Sequence, residues 1–263
     1  MESKLRNHLI IGDPHSSPSY DNHRFTALGR FVVEERPEII ICIGDWANME
    51  SLSSYDEGRA SFEGRRYHLD IDAAIDAQEK FFAPIKEYRR RSHKAYDPKF
   101  IMCLGNHDGG RINRAIEEDP KLQGTISVDN LKYREYGWEV HRFLEPVTVD
   151  EITYCHYFAS GVSGRAISGE AIGRTLCNKL HSSSVQGHSH LFDHSERSII
   201  TGRKIFGLAC GCYTHSEMIE DWNIATYRMW WRGVIMLHDC DGAGYYDELR
   251  AITQRKLLRE YLY

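Results

Sequence analysis

Long apolar runs are missing from this sequence: nothing approaches the roughly 18 consecutive residues that a bilayer-crossing helix needs. The leader Met1-Glu2-Ser3-Lys4-Leu5-Arg6 has no apolar signal-peptide core and passes straight into a short strand, which predicts an unexported, cytoplasmic protein with no membrane partner. Excess positive charge is missing too. Lys and Arg number 33 against 38 Asp and Glu, a net charge of -5 with the 14 histidines neutral. That balance argues against a surface tuned as a whole to the backbone of duplex DNA. The seven cysteines are an odd set, four of them inside apolar runs such as Ile39-Ile40-Ile41-Cys42-Ile43, which predicts reduced thiols in the core. Cys210-Gly211-Cys212 has no second pair at zinc-site spacing, which argues against a structural zinc. Internal repeats and low-complexity tracts are lacking as well.

What is present is an ordinary globular composition, 41% hydrophobic and 27% charged over 263 residues. That length lies near the upper end of what one core organises, so residues 1–263 are expected to form one α/β domain with an elaboration.

The first half of the chain repeats one pattern. His8 to Ile11 is an apolar run ending in Gly12-Asp13-Pro14-His15, where proline stops ladder pairing, so a buried strand empties into a loop. Residues 21–36 carry Phe25, Leu28, Phe31 and Val32 at near-helical spacing, with Asp21 as the expected N-cap and Pro37 closing the segment. Glu38 to Ile43 is the next buried strand, making a βαβ unit, and it ends in Gly44-Asp45. Ser51 to Arg66 is rich in Ser, Gly and charge. Asp70 to Lys94 then carries apolar residues at helical intervals, with a kink expected at Pro84. Residues 49–96 thus read as an inserted loop and helix, a candidate lid. Lys99 to Leu104 is a third strand, ending in Gly105-Asn106-His107-Asp108.

In the second half, Val147 to Phe158 alternates like a hairpin and Ile167 to Leu180 reads as a helix. Val185, Phe192 to Ile200, Lys204 to Ala209, Gly233 to His238 and Tyr245 to Ile252 read as a second, largely antiparallel sheet, with Asp241-Gly242-Ala243-Gly244 as a tight connection. The amphipathic tail from Thr253 predicts a surface helix.

The strand ends supply, in order, Asp13-Pro14-His15, Gly44-Asp45-Trp46-Ala47-Asn48, Gly105-Asn106-His107-Asp108, Cys155-His156 and Gly187-His188-Ser189-His190. Carboxylate, imidazole and amide oxygen together suit Mn, Fe, Zn or Mg rather than soft ions. In an extended segment residues i and i+2 point the same way, so Asp13 with His15, and His188 with His190, are expected to act as pincers. A carboxylate bridges two cations through its two oxygens, which makes Asp45 the candidate for holding a pair roughly 3.5–4 Å apart. Two divalent ions against two aspartates leave net positive charge, which suits a phosphate substrate and the activation of a bridging water to hydroxide.

These five blocks resemble the calcineurin-like metallophosphoesterases, whose pattern is D-x-H, G-D-x-x-D/N, G-N-H-D/E, a lone His and G-H-x-H. The resemblance runs from Asp13 to His190 and implies a four-layer sandwich of two mixed β-sheets flanked by helices. It also implies two divalent ions, with manganese the one expected to serve in vitro. Asp13, His15 and His190 would hold one ion, Asn106, His156 and His188 the other, and Asp45 would bridge them. His107 would lie beside the phosphate and protonate the leaving oxygen while the metal-held hydroxide attacks in line. The second block here has Asn48 in place of the aspartate, and lacks the Arg-Gly, that many protein phosphatases of this superfamily carry. His107 is therefore expected to have a lower pKa or to use another orienting partner, with Asp108 nearest. Arg111 and Arg114 are substrate-clamp candidates, Asn48 a substrate contact, and Trp46 either stacks a base or packs. The run Arg89-Arg90-Arg91-Ser92-His93-Lys94 reads as a solvated helix end rather than a nucleic-acid grip.

The function expected is hydrolysis of a nucleotide-like or other small phosphoester. The alternative is a DNA exonuclease or endonuclease of the repair-nuclease type, with nucleic acid as partner; a non-catalytic scaffold ranks third.

Overall fold

The protein is described from a computed structural model covering residues 5–54, 58, 60–92, 95–219, 224 and 227–262. The leader Met1 to Lys4 and the basic pair His93-Lys94 lie outside the described residues. In chain order the elements are β1 (Arg6–Ile11), α1 (His23–Glu35), β2 (Ile39–Cys42), α2 (Tyr67–Arg91), β3 (Lys99–Cys103), α3 (Ile112–Glu118), β4 (Trp138–His141), β5 (Val147–Val149) and β6 (Ile152–Tyr154). Then come α4 (Ile172–Leu180), β7 (Ser183–Gln186), β8 (Phe192–Ser198), β9 (Lys204–Cys210), β10 (Gly233–Cys240), β11 (Glu248–Thr253) and α5 (Gln254–Tyr261).

Two mixed sheets result, one of six strands in the order β11-β10-β1-β2-β3-β4 and one of five in the order β5-β6-β7-β9-β8. Strands β1 to β4 are parallel neighbours, which requires crossovers, and helices α1 and α2 supply the first two. Their burial on both faces explains the continuous apolar runs. In β2 and just beyond, Ile39, Ile41 and Ile43 face the core between the sheets. Ile40 and Cys42 face the core under the helices. Helices α1, α2 and α5 cover that outer face through Phe31, Phe81 and Leu257. On the far side Ile172 and Leu176 of α4 pack on Ala209 of the second sheet. The layers are therefore helix, sheet, sheet, helix, as the family resemblance implied.

Several local expectations are corrected. The strands after residue 180 do not make one antiparallel sheet: β7 runs parallel to both β6 and β9, while β10 pairs with β1 and β11 with β10 in the first sheet. Alternation records that a strand is buried but not which strand it joins. The helix expected from Ile167 starts at Ile172, because the Ile167 amide donates to the Phe158 carbonyl instead. Strand β4, Trp-Glu-Val-His, carries too weak a pattern to be read in advance. Asp21 is not the N-cap of α1, a position that Asn22 holds without a side-chain cap bond, though Asp21 Oδ1 accepts from the His23 amide at 2.9 Å. The tail helix is anchored, with Leu257 fully buried.

Helix α2, the larger part of segment 49–96, is the β2 to β3 crossover and lies against the core, with Ala74, Ala77, Phe81 and Ile85 fully buried. At its end Arg89 pairs with Asp97, and Arg90 and Arg91 both pair with Glu87. All seven cysteines are free and buried. No helix among the described residues is long and apolar enough to cross a membrane.

Candidate metal centre

The C-terminal ends of β1, β2, β3, β6 and β7 bring the five sequence blocks to one edge of the sandwich, where ligand sites of open α/β sheets arise. Asp45 Oδ2 lies 3.7 Å from His15 Nε2 and 3.4 Å from His156 Nε2. Asp13 Oδ2 is 3.7 Å from His190 Nε2, and Asp13 Oδ1 is 3.5 Å from His156 Nδ1. Asn106 Oδ1 sits 2.8 Å from His156 Nε2 and 2.9 Å from His188 Nδ1. All seven candidate ligands thus meet. Asp13, His15, Asp45, His156 and His190 are buried, Asn106 is partly exposed and His188 is exposed, so the centre opens on the side of Asn106 and His188.

The pincers form, but not by the extended geometry expected. Asp13 and His15 have φ of 37° and 46°, His188 and His190 of 66° and 59°, and Asp45 of 51°. Five candidate ligands therefore sit in the left-handed region, which costs roughly 1–2 kcal/mol per residue without glycine. Such strain persists only where the surroundings impose it, and it clusters at functional sites. Glycines beside the ligands permit the approach. A Cβ on Gly105 would overlap Asp45 Oδ1, and one on Gly187 would stand 2.8 Å from Asp13 Oδ1.

Backbone and side-chain partners aim the rings. The Ile43 carbonyl accepts from His156 Nδ1 at 2.8 Å, and Asn48 Oδ1 from His15 Nδ1 at 2.8 Å. Each leaves Nε2 with its lone pair toward the carboxylates, as metal ligation needs. Asn48 in turn donates through Nδ2 to Glu50. The His188 amide donates to Asp13 Oδ2 at 2.6 Å, and the His107 amide to Asp45 Oδ1 at 2.8 Å.

Two buried polar atoms face this centre with no hydrogen-bond partner, Asp13 Oδ1 and His15 Nε2. Burial, reinforced by the charge of Asp45, pushes the Asp13 carboxyl well above the usual carboxylate range. Burial likewise holds His156 down to about 4 and His190 well below its ordinary value. Neutral imidazoles, two adjacent buried carboxylates and buried polar atoms with no hydrogen-bond partner are what a divalent pair would satisfy, so these residues fit the ions.

Around the ligands several expectations change. Asp108 does not orient His107. It is fully buried and accepts from the Gly105 and Trp46 amides at 2.7 Å and 3.0 Å and from the Tyr133 hydroxyl at 3.0 Å. It thereby ties the second block to the third. His107 Nδ1 donates instead to the Asn48 carbonyl at 2.9 Å, and its Nε2 faces Arg111 Nη2 at 3.5 Å. Arg111 also donates to the Asn48 and Met49 carbonyls. Arg114 turns away, donating to the Leu52 carbonyl at 2.7 Å. Trp46 offers no face to a ligand: it is fully buried, with Phe25 at 4.8 Å, Trp138 at 5.7 Å and Phe81 at 5.8 Å between ring centroids.

Sequence reasoning missed Arg24. Its guanidinium is buried and donates to the carbonyls of Pro14, His15, Asp21 and Tyr213, so it holds the Asp13-Pro14-His15 turn from behind. A cation within the buried stripe of α1 was the signal.

Residues 7–245 match the family model described as calcineurin-like phosphoesterase. The chain belongs to that family. It is a family of metal-dependent phosphoester hydrolases with dinuclear metal centres, and the clusters Asp13, Asp45, His156 and His15, Asp45, His107, whose donor atoms lie within 4.8 Å of one another, are candidate ligand groups. No curated protein matches the chain. Among solved structures 22 chains match. One crystal structure at 13% identity and a TM-score of 0.44 covers 95% of this chain and 100% of its own, a likeness too distant to add to the family assignment.

Proposed function

We propose that this calcineurin-like phosphoesterase hydrolyses a small, nucleotide-like phosphoester at a pair of divalent ions. Asp13, His15 and His190 would hold one ion, Asn106, His156 and His188 the other, with Asp45 shared. The observation that carries this reading is the position of Asp45, whose Oδ2 reaches both donor groups, with the orphaned Asp13 Oδ1 and His15 Nε2 beside it. When bound, such ions supply positive charge for the phosphoryl oxygens and lower the pKa of water.

The chain's own residues divide the remaining work. Distances alone would admit His107 as a ligand, since its Nε2 is 3.9 Å from Asp45 Oδ2. Its neighbour Arg111 supports a different role, because a guanidinium beside Nε2 suits an anion and not a further cation. His107 and Arg111 together would flank the phosphate. With the Nδ1 proton held on the Asn48 carbonyl, Nε2 carries a lone pair, so His107 protonates a leaving oxygen only after taking up a second proton. Burial and Arg111 oppose that uptake; an arriving phosphate anion favours it.

The test is turnover of bis-p-nitrophenyl phosphate and p-nitrophenyl phosphate by the purified protein with Mn, Fe, Zn or Mg, run beside labelled single- and double-stranded DNA. At least one p-nitrophenyl ester is expected to turn over, with the rate lost in Asp45→Asn. Absence of turnover with every metal, or an Asp45→Asn protein as active as the wild type, defeats the reading.

A further inference from the structure

Two aromatic rings stand beside the open side of the centre with no role in the arrangement above. Phe143 and Tyr157 meet edge to face, their centroids 5.7 Å apart at 79°, and both are partly exposed. Tyr157 follows His156 directly, and its ring lies 4.8 Å from that of His188 and 5.9 Å from that of His156. Phe143 lies 6.0 Å from the His156 ring and backs the turn that presents Asn106. A Cβ added to Gly109 would stand 3.2 Å from Phe143 Cβ, and one added to Gly110 would stand 3.6 Å from Phe143 Cε1. The pair therefore flanks Asn106, His156 and His188, where the centre meets solvent.

Packing alone does not account for this placement. The Tyr157 side chain is partly exposed and its hydroxyl makes no hydrogen bond among the described residues, so the hydroxyl is left to water and does not fix the ring in place. Its ring also keeps apolar area in water that complete burial would remove. An aromatic surface left wet within a ring's width of metal ligands has the form of a stacking platform, since every nucleobase has a π-face to lay on it.

We propose that Phe143 and Tyr157 form a shelf on which the nucleobase of a nucleotide phosphoester stacks while its phosphate lies at Asn106, His156 and His188. This rests on the hydrolase reading above and names the substrate class of the same site. Base stacking on an aromatic side chain implies a gain in affinity of roughly fivefold to a hundredfold.

The experiment compares two inhibitors that differ only in the base, adenosine 5′-monophosphate and ribose 5-phosphate, against turnover of bis-p-nitrophenyl phosphate by the Mn-loaded protein. The nucleotide is expected to inhibit at least fivefold better. Tyr157→Ala should bring the two inhibition constants together, and Tyr157→Phe should keep them apart. Because each comparison is a ratio within one protein, partial loss of folding cancels; Phe143→Leu, which preserves bulk, should narrow the gap without closing it. Equal constants in the wild type, or a gap that survives Tyr157→Ala, overturns the shelf. If the wild type turns over no phosphoester, the hydrolase reading fails instead, and calorimetric titration of the two compounds into the Mn-loaded protein then decides the shelf by the same ratio.

Discussion

Removing divalent metal should destabilise the protein, and by more at pH 7 than at pH 5. Asp13 is fully buried and Asp45 is 1% exposed, so without a cation two carboxylates face each other in the dry interior. Burial and then Asp45 raise the Asp13 carboxyl, and the same two causes push Asp108 up to about 7. An acid whose folded pKa lies above its unfolded value binds its proton more tightly in the native state. Stability therefore falls as pH rises from the unfolded value, about 4, through the folded one. For Asp108 that window closes near pH 7, and Asp13 moves in the same direction.

A divalent ion held by Asp13 and Asp45 takes the place of the Asp13 proton and offsets the Asp45 charge that raises Asp108, so its stabilising effect should grow across the same window. At free metal one hundred times its dissociation constant, each site contributes about 2.7 kcal/mol. For a chain of this size 1 kcal/mol shifts Tm by about 2–4 °C. Each ion should thus raise Tm by about 5–11 °C at pH 7, some of which offsets the left-handed backbone at five ligands. The assay is thermal melting of chelator-treated protein with and without Mn at pH 5 and pH 7. Asp45→Asn removes the repulsion, so its metal-free form should melt above the metal-free wild type and gain less from Mn. A metal shift equal at the two pH values, or an Asp45→Asn protein that gains as much as the wild type, refutes the reasoning.

Two further outcomes follow from packing around the centre. Trp46→Ala should cost about 3–5 kcal/mol, read by urea denaturation, while leaving the inhibition ratio between adenosine 5′-monophosphate and ribose 5-phosphate unchanged, because the indole is enclosed by Phe25, Phe81 and Trp138. Arg24→Met should leave the buried carbonyls of Pro14 and His15 without their donor, a loss of about 1–3 kcal/mol for each unsatisfied group. Melting should show the fall, and Mn titration should show weaker binding at the ion held by Asp13 and His15; undiminished Mn affinity would count against a role for Arg24 in holding that turn.

The legible part of the site was its chemistry. Residues able to bind a borderline divalent ion recur after each predicted strand, and the order of the blocks carried the family and the sandwich. Illegible were the partners one layer out. Nothing local tells that Asn48 serves His15 through its side chain and His107 through its carbonyl, or that Asp108 ties two loops instead of facing the substrate. Trp46 follows a ligand in sequence yet points into the helix-side core, because a left-handed residue at Asp45 turns the chain between them.

Sequence alone determined β1, β2 and β3 of the first sheet, since runs buried on both faces and closed by Gly-Asp or Gly-Asn need no partner to be recognised. It determined the ligand types as well, because charge and donor chemistry belong to residues and not to folds. Tertiary structure decided the rest: which sheet β10 and β11 join, how strained turns replace extended pincers, and where Phe143 meets Tyr157. These depend on contacts between segments far apart in the chain, whose free energies arise only once both sheets have packed and water has left the space between them.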